Sequence, residues 1–255
     1  MATPPRIALV TGAAHRIGAG IASDLAEHGY DVVLHAHRSR DAAGRLAKDL
    51  AERHGVRTAV VTGDLSSTDA VDAIVPKALA ALGGLTVLIN NAALFEADDP
   101  GNFASSRWRT QMAVNAEAPA RLISAFADQA PLAQGSRLAV NMIDQRVFKP
   151  TPRHFSYSAS KATLYFITRT MAQAFAPHVR VNALGPGPVL KAAAQNESDF
   201  AAQVAALPLQ RSPKPAEFGQ AIRFLDNAPS ITGQMIALDG GQHIAWQTPD
   251  ALVNE

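Results

Sequence analysis

The sequence predicts an α/β protein with a parallel sheet covered by helices on both faces. Two observations support this prediction: seven short β-branched or aliphatic segments, and amphipathic segments of helical period between most of them. Strands buried on both faces that alternate with helices indicate parallel strands joined by helical crossovers, and hence a doubly wound sheet. The seven expected strands are Arg6–Val10, Asp31–His35, Thr58–Thr62, Leu85–Asn90, Arg137–Met142, Val179–Ala183 and Met235–Leu238.

Apolar residues at helical spacing mark the helices between these strands. Gly29 follows the first of them and gives a C-terminal glycine signal. The apolar positions are Ile17, Ile21 and Leu25 in the first helix, Leu46 and Leu50 in the second, and Leu164, Ile167 and Met171 in a later one.

Two clusters of helix- and strand-breaking residues lie late in the chain, at Gly185–Pro188 and Pro208–Pro215. The segment between them is expected to cross the open edge of a binding cleft. We find no internal repeat and no low-complexity linker. The sequence therefore predicts a single domain over residues 1–255 with a loop insertion near 188–214.

Composition restricts the class of protein. The 255 residues are 47% hydrophobic and 18% charged, as in an ordinary globular domain, and the net charge of +1 does not point to nucleic acid or a membrane surface. The absence of cysteine excludes disulfides, thiolate metal sites and thiol nucleophiles, and no metal site is expected. No signal peptide or apolar run of ~20 residues is recognisable, so we expect a cytoplasmic protein.

The turn after the first expected strand has features of a pyrophosphate site. It reads TGAAHRIG, residues 11 to 18, with glycines only at Gly12 and Gly18, and an ordinary strand–helix turn is the alternative. Its position in the first βα unit favours dinucleotide binding. His15, Arg16 and Ile17, between the glycines, belong to the expected cofactor site.

The second expected strand ends in HAHRSR, residues 35 to 40, without an acidic residue before Asp41. An acidic side chain at this point would bind the ribose 2′-hydroxyl of NAD. His37, Arg38 and Ser39 instead offer a cation and several donors, which suits the 2′-phosphate of NADP. A solvated basic turn is the alternative interpretation.

Two further loops follow strand ends. Asp64 and Leu65 follow the third strand, and Asn91 and Ala92 follow the fourth. These polar groups could meet the adenine amino group or support the backbone near the cofactor. Each is also a common turn composition, so neither is specific by itself.

Tyr157 and Lys161 stand one helical turn apart. A free tyrosine has a pKa of ~10, and an ammonium nearby is expected to lower that pKa and favour the phenolate. Lys161 can also hold the nicotinamide ribose, so the pair suits a proton donor beside a hydride donor. A packed tyrosine with a solvated lysine is the alternative.

The sequence resembles the short-chain dehydrogenase/reductase family from Ile7 to about Ile244. The resemblance rests on five motifs in sequence order: TG-x3-x-x-G, D-L, N-N-A, Tyr-x-x-x-Lys and P-G. The resemblance implies a Rossmann-type sheet of about seven strands and commonly a homotetramer. It also implies catalytic roles for Tyr157 and Lys161, and for Asn115 in the segment MAVNAEA. Pro186 and Gly187 correspond to the P-G motif at the cofactor.

Two departures from the family pattern resemble its pteridine reductase subgroup, including bacterial dihydromonapterin reductases. Arg16 replaces a glycine, and Asp144 replaces the serine expected 13 residues before the tyrosine (157 − 144 = 13). HRS after the second strand, an aromatic at Phe95 and DGGQH at residues 239 to 243 agree with this subgroup. Loss of function through drift at Asp144 is the competing interpretation.

A carboxylate at this position suits reduction of a C=N bond. Asp144 can orient Tyr157 and place negative charge near a developing cationic imine. Arg16 could reach the cofactor phosphates or the pterin carbonyl, and Phe95 could stack on the pterin.

Three functions remain open at this point. The first is an NADPH-dependent reductase of dihydromonapterin, dihydrobiopterin or dihydrofolate. The second is a reductase of another ketone or imine, and the third is a dinucleotide-binding protein without turnover.

Overall fold

The described residues form one parallel sheet between two layers of helices. The computed structural model describes residues 5–129, 137–192 and 195–247. The strands are β1 Ile7–Val10, β2 Asp31–Ala36, β3 Thr58–Thr62, β4 Val87–Asn90, β5 Arg137–Met142, β6 Val179–Pro186 and β7 Met235–Leu238. Their order across the sheet is β3-β2-β1-β4-β5-β6-β7, and all neighbours are parallel. The predicted fold class is confirmed.

Helices connect and cover these strands. The helices are α1 Arg16–Glu27, α2 Arg40–His54, α3 Thr68–Asp72, α4 Ile74–Leu82, α5 Ser105–Met112, α6 Ala118–Ala127, α7 Phe155–Phe175, α8 Glu197–Ala205 and α9 Pro215–Asp226. A π-helical turn at Ala113–Glu117 joins α5 to α6, and 3₁₀ turns occupy Gln145–Val147 and Gln242–Ile244. Gly29, with φ of 80°, follows α1 as the glycine signal predicted.

Alternate residues of the central strands point to opposite layers. Val10 of β1 packs in the cluster that contains Ile21 of α1, whereas Leu9 packs in the cluster that contains Phe126 of α6. All four of these side chains are completely buried. Burial on both faces explains why the strand sequences are continuously apolar.

The sixth strand is longer than the sequence predicts. Gly185 and Pro186 were expected in a breaker cluster, yet they pair with Ala237 and Leu238 of β7. Proline lacks a backbone N–H, but it still accepts through its carbonyl and can occupy the end of a strand. The prediction that the strand ends at Ala183 is therefore wrong.

The carboxyl ends of β1 and β4 mark the point where the strand order reverses, because β1 pairs with β2 on one side and β4 on the other. Open parallel sheets bind ligands in the crevice at such a point.

The predicted insertion near 188–214 leaves the same edge and contains α8, which the sequence did not reveal. Residues 193 and 194 of that insertion lie outside the described residues. Over the described ranges, no helix has both the length and the apolar character to cross a membrane.

Candidate active site

The turn from β1 into α1 is built around two glycines. Gly12 has φ of 64°, which glycine adopts without steric cost. A Cβ on Gly18 would lie 2.3 Å from the Gly12 carbonyl oxygen and 2.5 Å from Nδ2 of Asn91. Only hydrogen fits there, so the first turn of α1 lies against the strand-end loop. The first N–H groups of α1 have no acceptor within the helix and suit a phosphate, and the pyrophosphate site at residues 12 to 18 stays a prediction.

Thr11 and Asn91 fasten this turn to the loop after β4. The Thr11 hydroxyl donates to the Ile89 carbonyl and accepts from the N–H groups of Asn91 and Ala92, at 2.9 and 3.0 Å. Asn91 Nδ2 donates to the carbonyl oxygens of Thr11, at 2.8 Å, and Gly12. Asn91 thus supports the backbone of the glycine turn, one of the two roles considered for it.

Arg16 has an unusual backbone and an unexpected partner. Its φ of 55° is in the left-handed region, which a glycine would occupy more easily. Its guanidinium donates to the carbonyl oxygens of Leu190 and Lys191, at 3.0 and 3.1 Å. Arg16 therefore ties the glycine turn to the start of the predicted insertion, a contact that the sequence did not indicate. His15 and Ile17 flank it as N-cap and second residue of α1.

His35 is a buried site residue that the sequence reading missed. Its Nδ1 accepts from the Gly12 N–H at 3.4 Å, and Nε2 lies 3.1 Å from the Gly63 carbonyl. These contacts suit the neutral tautomer with its proton on Nε2. Burial lowers the pKa of His35 to about 4. A histidine at the carboxyl end of a strand next to a glycine turn is the signal that could have revealed it.

We expect acid to destabilise the protein through His35. Its pKa is lower in the folded chain than in the unfolded chain, so only the unfolded chain takes up this proton between about pH 6.5 and 4. The contribution of His35 to the free energy of unfolding is fully present above about pH 6.5. It decreases by about 3 kcal/mol as the pH falls to about 4. Urea unfolding of the wild type and of His35→Asn should show a gap in unfolding free energy that narrows as the pH falls. A constant gap would contradict this assignment.

The basic segment after β2 lies on the surface beside Asp64. His37 and Arg38 are exposed and Ser39 is half-buried, and His37 Nε2 is 3.7 Å from the Asp64 carboxylate. Hydrogen bonds from Ser66 lower the pKa of Asp64, and the charges of His37 and Arg38 add to this shift. The two predicted loop segments thus meet at the edge of the sheet. Leu65, by contrast, is buried in the apolar core, so only its backbone is available to a ligand.

Tyr157 and Asp144 are in direct contact. The Tyr157 hydroxyl donates to Asp144 Oδ2 at 3.0 Å. Asp144 precedes the 3₁₀ turn Gln145–Val147, and its Oδ1 accepts from the Arg146 N–H at 2.8 Å. Its Oδ2 also accepts from the Arg146 guanidinium at 3.3 Å. The carboxylate is therefore fixed by its own turn and oriented toward the tyrosine.

The pKa of Tyr157 moves opposite to the expectation from the sequence. Burial, together with the Asp144 charge and hydrogen bond, raises this pKa well above its ordinary value, while Arg146 opposes the shift. The prediction that the Lys161 ammonium lowers the pKa of Tyr157 is wrong in this structure. Burial and the adjacent Asp144 carboxylate both favour the neutral phenol, while the Lys161 Nζ lies 5.6 Å from the phenol ring centroid. Tyr157 is a neutral phenol, the form that can donate a proton.

Lys161 is buried beneath the tyrosine and hydrogen-bonded to the end of β5. Its Nζ donates to the Met142 carbonyl at 2.7 Å. Burial lowers the pKa of Lys161 to about 8, and the Asp144 charge partly opposes the shift. The lysine therefore remains mainly cationic at neutral pH, with further N–H donors beyond the one that Met142 accepts.

Asn115 lies in the π-helical turn and joins the site to its surroundings. Its side chain accepts from the Leu94 N–H at 2.8 Å and donates to the Leu94 carbonyl and Ser160 hydroxyl, at 2.9 and 3.0 Å. These bonds hold the loop after β4 against α7. Asn115 is next to the Tyr157–Lys161 helix through Ser160, and its side-chain contacts are those of a support.

Phe95 lies beside Tyr157, with ring centroids 4.7 Å apart in an edge-on arrangement. His154 stacks on Phe95 at a centroid distance of 4.1 Å, and the Arg146 guanidinium carbon lies 5.4 Å from the Phe95 centroid. Phe95 is 46% exposed. His154 and Arg146 are neighbours that the sequence reading missed, since neither follows a motif or a period.

Pro186 and Gly187 close the site at the end of β6. The Gly187 N–H donates to the Leu238 carbonyl at 3.0 Å, and a Cβ at Gly187 would lie 2.7 Å from Asp239 Cα. The backbone therefore passes close to the loop after β7. The predicted residues form two groups at one sheet edge, a glycine-turn group and a group around Tyr157.

Comparisons with known proteins identify the family of the chain. The family model described as enoyl-(acyl carrier protein) reductase matches residues 12–243. A short-chain type dehydrogenase/reductase from Picea abies is 30% identical and covers 93% of this chain and 92% of its own length. The chain belongs to the short-chain dehydrogenase/reductase family.

Two solved structures are more similar in sequence. The crystal structure of FolM alternative dihydrofolate reductase 1 from Brucella canis, complexed with NADP, is 44% identical, with a TM-score of 0.91 over 97% of this chain and 98% of that one. Its counterpart from Brucella suis, also with NADP, is 44% identical, with a TM-score of 0.89 over 96% of this chain and 98% of that one.

Proposed function

We propose that the protein is an NADPH-dependent reductase of a pterin C=N bond, in the class of dihydromonapterin, dihydrobiopterin and dihydrofolate. The observation that carries the proposal is Asp144, which accepts from the Tyr157 hydroxyl at 3.0 Å where the family has a serine. The 44% identity to two proteins described as alternative dihydrofolate reductases supports it. Those structures contain NADP, which supports the same cofactor here.

The residues fit such a cofactor. The turn with Gly12 and Gly18 offers N–H groups to the pyrophosphate, and Arg38 offers a cation to the 2′-phosphate. Lys161 offers N–H donors to the nicotinamide ribose. Gly187 lets the end of β6 pass close to Asp239, where a Cβ would lie only 2.7 Å from the Asp239 Cα.

The chemistry follows from the protonation states around Tyr157. The carbon of the C=N bond takes a hydride, which reduced nicotinamide supplies when it is bound. The nitrogen takes the proton of Tyr157. Burial keeps Tyr157 protonated until that step, and Asp144 holds its hydroxyl in one orientation. A C=N substrate needs a proton at nitrogen rather than a hydroxyl that polarises a carbonyl.

Phe95 and the insertion near 188–214 are the proposed substrate-binding parts of the site. Phe95 is exposed beside Tyr157 and can contact a flat ring, although His154 already stacks on it. Arg16 reaches the insertion near 188–214, and we propose that this segment closes over the substrate. The assembly proposed from the family is a homotetramer, which sedimentation would test.

We expect Arg38→Ala to weaken NADPH binding about tenfold and NADH binding little. The guanidinium would lose a charged hydrogen bond to the 2′-phosphate, worth roughly 1.5 kcal/mol. Fluorescence titration with each cofactor measures the effect. Arg45→Ala removes an exposed arginine of α2 and should change neither affinity. Equal losses for both cofactors would reject this role for Arg38.

A panel assay tests the proposed activity. NADPH consumption is measured with several dihydropterins, with oxidised pterins and with a simple diketone. Turnover of a dihydropterin at a higher kcat/KM than the diketone is expected. Turnover of the diketone alone would leave a reductase of another ketone or imine, the function that the curated relatives of about 30% identity would suggest.

A further inference from the structure

Arg146 completes a closed set of contacts with Asp144, Tyr157 and Phe95. The phenol and the Arg146 guanidinium donate to the same atom, Asp144 Oδ2, at 3.0 and 3.3 Å. The guanidinium carbon lies 5.4 Å from the Phe95 centroid, and Phe95 in turn contacts Tyr157. The Arg146 side chain is 23% exposed. The Arg146 guanidinium is therefore held between the Asp144 carboxylate and the Phe95 ring.

Proton donation by Tyr157 creates an electrostatic conflict at this atom. A new C–H bond forms with the hydride pair, and the C=N π pair takes the phenol proton to form N–H. The imine is reduced, the nicotinamide is oxidised, and the O–H pair stays on Tyr157 as a phenolate. That phenolate would stand in contact with the Asp144 carboxylate. Two adjacent anions in a buried site oppose the step unless a cation accompanies them.

We propose that Arg146 is a positioning residue that neutralises Asp144 and so allows the Tyr157 phenolate to form beside it. This rests on the proposed function only in the use of Tyr157 as proton donor. Among the described residues, Lys161 lies one turn along α7 from the phenol, and the His154 ring stacks on Phe95. Arg146 is the cation that shares the carboxylate oxygen with the phenol.

The electrostatics of the phenol agree with this role. Burial and Asp144 raise the pKa of Tyr157, and Arg146 is the neighbour that lowers it. Without the guanidinium, Tyr157 would be a weaker acid with the same orientation. Substrate and cofactor binding are not expected to depend on the acidity of Tyr157.

The kinetic test compares Arg146→Met and Arg146→Lys. Methionine keeps a long apolar side chain against Phe95 and removes the charge, whereas lysine keeps the charge. In Arg146→Met we expect kcat to fall about tenfold, KM to change less than about twofold, and the solvent deuterium isotope effect on kcat to rise. Arg146→Lys should recover most of kcat. Arg121→Met, which removes an ion pair with Asp72 away from the site, should match the wild type.

A second measurement needs no turnover. The ultraviolet difference titration of the wild type against Tyr157→Phe reports ionisation of this phenol. Repeated in the Arg146→Met background, the titration should move to higher pH. An unchanged or lower titration, or an equal loss in Arg146→Met and Arg146→Lys, overturns the inference. A wild type that reduces no pterin refutes the proposed function instead, and the titration still decides the role of Arg146.

Discussion

Tyr157→Phe is expected to lower kcat about a hundred- to ten-thousandfold, the usual contribution of a positioned general acid. Phenylalanine keeps the ring that packs against Phe95 and loses only the hydroxyl that donates to Asp144. Cofactor affinity should therefore remain close to that of the wild type. Steady-state kinetics and an NADPH titration measure the two quantities.

The matched control is Tyr165→Phe. Tyr165 is on the same helix, α7, and its ring meets Phe148 rather than the site, so loss of its hydroxyl should leave kcat unchanged. Near-normal turnover in Tyr157→Phe would remove the tyrosine from the mechanism. A loss confined to NADPH affinity would make it a binding residue.

Asp144→Ser is expected to lower kcat/KM for a dihydropterin roughly ten- to a hundredfold, the range for one charged hydrogen bond worth about 1.5–3 kcal/mol. Tyr157 loses its acceptor, and the imine loses a nearby negative charge. For a simple diketone kcat/KM should hold or rise, since serine can polarise a carbonyl. Kinetics with both substrates in both forms of the enzyme provide the measurement.

Asp144→Asn separates the two contributions of the carboxylate. Asparagine keeps an acceptor for the Tyr157 hydroxyl but removes the charge that Arg146 pairs with. A pterin loss in Asp144→Ser that Asp144→Asn does not share would assign the effect to orientation. Parallel losses for pterin and diketone would mean that Asp144 supports the site generally and does not select the substrate.

The fold could be predicted because burial on both faces leaves a continuous apolar signal. Leu9 and Val10 are both fully buried, in opposite layers. The strand sequence is therefore continuously apolar and does not alternate between apolar and polar residues. The end of β6 could not be predicted in this way. Gly185 and Pro186 are residue types typical of turns. They belong to a strand here because they pair with the neighbouring β7.

The candidate site was predictable where its residues follow a motif. Tyr157, Lys161 and Asp144 stand at fixed spacings and lie together as expected. The raised pKa of Tyr157 depends on burial and on one contact, and neither is visible in the spacing. His35 contacts Gly12, and Arg146 lies over Phe95, across long separations in sequence that no local pattern encodes.

The left-handed backbone of Arg16 has a consequence for engineering. A glycine at this position would adopt φ of 55° without the roughly 1 kcal/mol or more that a side chain costs there. The same change would remove both hydrogen bonds to Leu190 and Lys191. Arg16→Gly would therefore relieve the backbone strain and release the start of the insertion from the glycine turn, so this one side chain couples the geometry of the two segments.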